Sequence, residues 1–287
     1  MERILIYIQK IDEAAYLIDL AASMAKEMGM DMDMLYTMGT TYYPMGLPGA
    51  AKPNLQYTEK QAKKILEEVK IVLENNIEKI RRTEKYPPKM EYFAEQGNGL
   101  QILSEQLKKK EYDFVLIGKQ YKNEYPIDDR SIDIINFIDH PVWIMPENAE
   151  YKPLKTIVYA TDYEEEDIKT MKELSRLAKL SSARIIALHI SKNLDFGEKI
   201  KNAGYKDLLM KKVGYKNIEA SALKLSDKQS LAESIHEYAA KNDAGLLVTL
   251  KENKKFIDRL FKSSTTKKLV AESDIPLLVF SEKKEKK

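Results

Sequence analysis

Short, nearly continuous apolar runs rich in β-branched residues recur along the chain at 3–8, 113–117, 155–160, 183–190 and 245–249. Runs of this length without alternation are the signature of strands covered on both faces. Between them, apolar residues repeat at helical spacing over 12–28, 58–83, 99–110 and 129–138 in the first half of the chain, and over 164–180, 195–213, 228–242 and 255–273 in the second. Strand and helix alternating in this way predict an α/β fold, a mostly parallel, doubly wound sheet with helices on both faces.

The pattern occurs twice. Arg3-Ile-Leu-Ile-Tyr-Ile and the helical run after it match Lys155-Thr-Ile-Val-Tyr-Ala and its successor. When Lys10 is set against Asp162, Ala22, Ala25, Met28 and Met34 fall without a gap on Leu174, Leu177, Leu180 and Ile186. The ends agree too, Asp139-His-Pro-Val-Trp-Ile-Met against Asp274-Ile-Pro-Leu-Leu-Val-Phe. A period of half the chain is far beyond the roughly 20–50 residues of a solenoid unit, so a whole domain has been duplicated. The reading is two tandem domains, 1–148 and 153–282, with Tyr151-Lys-Pro-Leu as linker and 283–287 as a disordered, charged tail.

Two segments depart from the repeat. Residues 39–57 hold three prolines and three glycines, which forbid regular structure, together with three tyrosines, a methionine and two leucines that suit burial. They read as a lid or packing arm, or as a loop that covers apolar surface of its own domain or the other. Met30-Asp-Met-Asp-Met34 alternates strictly, which places Asp31 and Asp33 on one face of a strand expected to be half-exposed beside the sheet edge.

Composition narrows the function class. The 47 basic and 45 acidic residues leave a net charge of +2 scattered over helix faces, so no nucleic-acid footprint is visible. No apolar run approaches the ~18 residues of a membrane span, and Met1-Glu-Arg-Ile-Leu-Ile-Tyr reads as a strand rather than a signal peptide. The expected address is the cytoplasm. Zero cysteines exclude disulfides and thiol chemistry, and His140, His189 and His236 lie far apart in sequence, without metal-ligand spacing. The adjacent pairs Glu67-Glu68 and Asp128-Asp129 do not converge as acid–base pairs do, and no catalytic residue is assigned.

Ala160-Thr-Asp162 closing a first strand, Leu188-His-Ile190 on a second, and Ile275-Pro-Leu-Leu-Val-Phe or His140-Pro-Val-Trp-Ile-Met at the end of each half together resemble the universal stress protein family, over nearly the whole chain. The resemblance implies five parallel strands per half in the adenine nucleotide alpha hydrolase-like fold. It also implies that the last strands, 142–145 and 277–280, pair across a pseudo-twofold axis. One chain is then its own dimer, with a further homodimer possible.

ATP-binding members of that family share Gly-x2-Gly-x9-Gly-Ser/Thr after the fourth strand, where backbone N–H groups meet phosphates at a helix N-terminus. This chain departs from it. In the first half Gly118 matches the first glycine, but Tyr121 replaces the second and Asp128-Asp129 stand in for Gly-Ser, so an incoming polyphosphate meets negative charge. In the second half the glycines fall on Leu250 and Asn253 and the final pair on Ser263-Ser264, with Lys251, Lys254, Lys255 and Lys262 nearby. Lys262-Ser-Ser-Thr-Thr266 reads first as a helix cap and second as an anion site. Glu164-Glu-Glu-Asp167 reads as a helix start matched to the dipole, adding repulsion at a pocket mouth.

These readings give a stress-response binding or regulatory module independent of ATP, without cofactor, acting on an unidentified protein partner and on neither nucleic acid nor membrane. One alternative is ATP with magnesium in the second half only, held by Asp162, His189, Lys262, Ser263, Ser264 and Thr265, with slow hydrolysis. Another is a small-molecule sensor with its ligand under residues 39–57.

Overall fold

The computed structural model describes residues 2–39, 55–119, 131–147, 149–251 and 274–281. The first half contributes strands β1 (Arg3–Ile8), β2 (Asp31–Met38), β3 (Met90–Gln96), β4 (Phe114–Gly118) and β5 (Val142–Met145), with helices α1 (Ala14–Met28), α2 (Leu55–Thr83), α3 (Gly99–Lys109) and α4 (Ser131–Phe137). The second contributes β6 (Thr156–Ala160), β7 (Arg184–Ser191), β8 (Ile218–Lys224), β9 (Leu246–Lys251) and β10 (Leu277–Ser281), with α5 (Glu166–Ser181), α6 (Phe196–Val213) and α7 (Leu231–Lys241). The predicted helix at 255–273, residues 40–54 of the 39–57 segment, the Tyr121 and Asp128-Asp129 positions and the 283–287 tail lie outside the described residues.

Among the described residues, ten strands form one sheet in the order β3-β2-β1-β4-β5-β10-β9-β6-β7-β8. Within each half every pairing is parallel; the halves join where β5 and β10 run antiparallel, with Val142 opposite Val279, Trp143 opposite Leu278 and Ile144 opposite Leu277. The twofold-like seam that the family resemblance implies is therefore present. It leaves β3 and β8 as edges, and both have mostly intermediate burial.

The seven described runs read as strands or final strands from their apolar character are strands. β3 and β8 were not read that way, because Met90-Glu-Tyr-Phe-Ala-Glu-Gln and Ile218-Glu-Ala-Ser-Ala-Leu-Lys are half-polar edges whose pattern carries little periodic signal.

Helix ends follow local chemistry. Asn98, Asp195 and Ser230 accept hydrogen bonds from the backbone N–H of Gln101, Glu198 and Glu233, at 3.0, 2.9 and 3.2 Å, and Glu233 returns the bond to complete a capping box. α1 ends on Gly29 in the left-handed region (φ 64°), whose N–H reaches the carbonyl of Ala25.

The core lies on both sheet faces. On one face a single cluster runs from Ile4, Met24 and Met32 through Trp143 and Leu154 to Tyr159, Leu174 and Leu209, spanning both halves. On the other face each half has its own cluster, around Leu5, Val115 and Ile134 in the first and around Val158, Ile186 and Ile235 in the second. The linker belongs to the shared core, for Leu154 is buried and Tyr151 packs on it.

Asp31 and Asp33 correct the sequence reading. β2 lies beside the edge strand β3, as expected, but it is not half-exposed, for Asp33 is fully buried. Its carboxylate accepts from Arg3 at 2.6 Å, Lys110 at 2.8 Å, the Tyr112 hydroxyl at 2.9 Å and the Glu91 N–H at 3.1 Å, while Arg3 also binds Asp31 at 2.9 Å. A carboxylate buried in an inner strand needs this many donors, and β1, β3 and the segment before β4 supply them.

Candidate functional site

In doubly wound sheets, ligands meet the carboxyl ends of strands where the strand order reverses. In the second half that point lies at the ends of β6 and β9, with β7 beside them.

β6 feeds directly into Thr161-Asp162-Tyr163 before α5 begins. Thr161 is buried and its hydroxyl donates to Asp167, on the first turn of α5. Asp167 also accepts from the Tyr159 hydroxyl at 2.5 Å, the Tyr205 hydroxyl at 3.3 Å and the Glu164 N–H at 3.2 Å. Burial raises the Asp167 carboxyl above its ordinary value, and the hydrogen bonds from Thr161, Tyr159, Glu164 and Tyr205 pull it back in part. The same burial raises the Tyr159 and Tyr205 hydroxyls. Asp167 is thus an internal pin joining β6, α5 and α6, which corrects the reading of it as part of an acidic pocket mouth.

Tyr163 closes the next layer. Its backbone takes φ 65°, a left-handed conformation uncommon for a bulky residue, and its N–H donates to the Thr161 hydroxyl at 2.9 Å. This turn lays the ring on His189 of β7, with centroids 4.2 Å apart and planes 26° apart, and edge-on to Tyr205 at 4.9 Å. Its hydroxyl, pushed up to about 12 by burial, donates to Asn202 Oδ1 at 3.0 Å. His189 Nδ1 lies 2.9 Å from the Thr161 carbonyl and 3.8 Å from Asp162 Oδ1, and Nε2 lies 3.6 Å from Glu198 Oε2. Asp162 and His189 therefore come together as the sequence suggested. Lys262, Ser263, Ser264 and Thr265 lie outside the described residues. Tyr163, Asp167, Glu198 and Tyr205 were missed as members of this cluster, since only the fold joins α6 to the end of β6.

The motif positions beside this point have other roles. Leu250 is buried in β9 opposite Phe280, a core residue where the motif has its first glycine. Lys251 Nζ donates to the carbonyl of Ile135 near the end of α4 at 2.6 Å, so it bridges the two halves.

In the first half the equivalent point lies at the ends of β1 and β4. There Glu13, preceding α1, presses its carboxylate on Gly118: a Cβ built on Gly118 would lie 3.0 Å from Glu13 Oε2. Lys10 is 3.7 Å from the same carboxyl group. Gly118 therefore permits a close approach, as a motif glycine would, but the group that approaches is an acid from the chain itself.

Residues 153–281 match the model of the universal stress protein family. This segment is a universal stress protein domain. Among curated proteins the sequence finds no significant match. Solved structures extend the likeness of fold to nearly the whole chain. A universal stress protein from Archaeoglobus fulgidus aligns with a TM-score of 0.64 at 12% identity, covering 98% of this chain and 96% of that one. A universal stress protein of Pseudomonas aeruginosa gives 0.52 at 13% identity, covering 98% and 93%. The cytoplasmic domain of a prokaryotic cation chloride cotransporter gives 0.53 at 11% identity, covering 97% and 94%. The tandem arrangement of two stress-protein folds is thus found across the length of other proteins. Among the described residues, no helix is long and apolar enough to cross a membrane.

Proposed function

We propose that this chain is a binding or regulatory module of the universal stress protein family that works without ATP. The reading rests on one observation: at both sheet switch points the chain presents its own side chains where a nucleotide would have to enter. In the first half Glu13 lies against Gly118. In the second, Tyr163 covers His189 beside the carboxylates of Asp162 and Glu198. A carboxylate within a few ångströms of a phosphate costs about 4 kcal/mol at an effective dielectric of 20, enough to remove the affinity of an ordinary nucleotide site.

The test is the melting temperature of nucleotide-stripped protein with and without excess ATP and magnesium. A ligand present at one hundred times its Kd adds about 2.7 kcal/mol to stability, so binding of any consequence is visible. The expected result is an unchanged melting curve. A rise would overturn the reading in favour of a second-half site in which Asp162 and His189 join Lys262, Ser263, Ser264 and Thr265 around ATP and magnesium.

A further inference from the structure

α6 carries apolar side chains on two opposite faces. Tyr205, Leu209 and Val213 belong to the core, as the inner face of a surface helix should. Phe196, Ile200 and Met210, however, are 77%, 56% and 44% exposed. At about 100° per residue they share one outward stripe with the exposed Ala203 and Asp207, reached from Phe196 in steps of four, three, four and three residues. Four of the nine large apolar side chains exposed among the described residues lie on this one helix, Leu208 being the fourth, so α6 rather than the surface at large lacks a cover. α2, which holds the equivalent place in the first half, has no such stripe: its exposed Ile65 and Ile71 are six residues apart and fall on different sides. α5 packs between α1 and α6, and α6 covers the edge strand β8, so α6 is the outermost helix of its layer among the described elements.

The order of residues along the stripe says what fits it. It is symmetric about Ala203, with Phe196 and Met210 seven residues to either side and Lys199 and Asp207 four. A second α6 laid antiparallel on the first, about a twofold axis at Ala203, sets Phe196 on Met210 of the second copy and Lys199 beside Asp207 of the second copy, each twice. Parallel packing would set Asp207 against Asp207 and Lys199 against Lys199. A lipid surface would have to take up the Asp207 carboxylate in the middle of the apolar stripe. Among the described residues neither Lys199 nor Asp207 has an ion-pair partner, so both charges are available to a second copy. Gly204 adds a further observation. Glycine weakens a helix interior, and a Cβ there would meet nothing within 4 Å, so packing inside the chain does not require it. A second backbone crossing at this point would.

We propose that this chain forms a homodimer through α6, packed antiparallel on its copy about a twofold axis at Ala203. The contact is distinct from the β5–β10 seam, which lies within one chain, and it stands whether or not a nucleotide binds.

One helix against another makes a small interface, so the full chain is followed by sedimentation equilibrium from about 1 to 500 µM. The expected result is a reversible monomer–dimer equilibrium within that range. Ile200→Lys, which puts a charge on the stripe, is expected to weaken dimerisation about tenfold or more at unchanged melting temperature. Asp207→Lys is expected to weaken it several-fold by bringing like charges together, and adding Lys199→Asp to that variant restores most of the loss. Within one helix these two positions are two turns apart, about 12 Å, so a local effect gives no such rescue. A monomer at every concentration overturns the proposal, and so does a dimer that the substitutions leave unchanged, as pairing of the β3 or β8 edges would be. Weakening by Ile200→Lys without rescue by the charge exchange overturns the antiparallel arrangement. A monomer that co-sediments with vesicles of phosphatidylserine and phosphatidylcholine overturns it in favour of a lipid surface.

Discussion

Asp167 is the residue on which the second half's site turns, and its burial sets a pH dependence. Its carboxyl is raised above the ordinary 3.8, so the folded chain holds that proton more tightly than the unfolded chain. The contribution is present at low pH and is lost as pH rises from near 3.8 through the raised value; above it the curve is flat. Compared with Asp167→Asn, the natural protein should therefore lose relative stability across that window, as read from urea midpoints at a series of pH values. Tyr205→Phe removes one donor to the same carboxylate and should lower stability by about 1–3 kcal/mol at neutral pH, measured by urea unfolding. At this scale the sequence was partly legible. Asp162 and His189 were found because they sit at strand ends in a recognisable order. Asp167 looked like surface because four acids in a row resemble a solvated helix start, and nothing local reveals that the last of them turns inward to Tyr159 and Thr161. Asp33 was misread for a like reason, since its donors Arg3, Lys110 and Tyr112 are brought to it by pairing with strands distant in sequence.

At the scale of elements the two halves answer the same demand differently. α1 ends on Gly29 at φ 64°, whereas α5 ends on Ser182 at φ 55° with the same N–H bond back along the helix, here to Ala178. A side chain in that conformation carries a strain of about 1–2 kcal/mol that glycine lacks, offset in part by glycine's greater freedom when unfolded. Ser182→Gly should therefore stabilise the protein by about 0.5–1 kcal/mol, seen as a higher melting temperature; a lower one would mean that Ser182 makes compensating contacts. Helices were the most legible elements because their apolar stripes and caps are local. Most inner strands were legible because burial on both faces leaves few polar positions; β2, with Asp31 and Asp33, is the exception. β3 and β8 were not, for edges alternate weakly and take their identity from the neighbours they join, β2 and β7.

At the scale of the molecule, the antiparallel β5–β10 seam turns two sheets of five strands into one of ten. One core cluster runs beneath the helices of both halves, and Lys251 ties the end of β9 to α4. The halves should consequently unfold together, giving one calorimetric transition whose van't Hoff and calorimetric enthalpies agree; two resolved transitions would show that the shared core does not couple them. The duplication itself was the most legible feature of the chain, because apolar positions keep their spacing after the residues themselves have changed. How the side chains at the two switch points are used was not legible, because it depends on Tyr163 turning back over His189 and on Glu13 reaching Gly118. The central claim is that these side chains close both nucleotide entrances. Isothermal titration of nucleotide-stripped protein with ATP and magnesium at two temperatures tests it most directly, since micromolar affinity corresponds to about 8 kcal/mol. The account predicts no binding heat at either temperature; saturating heat with one or two sites per chain would contradict it.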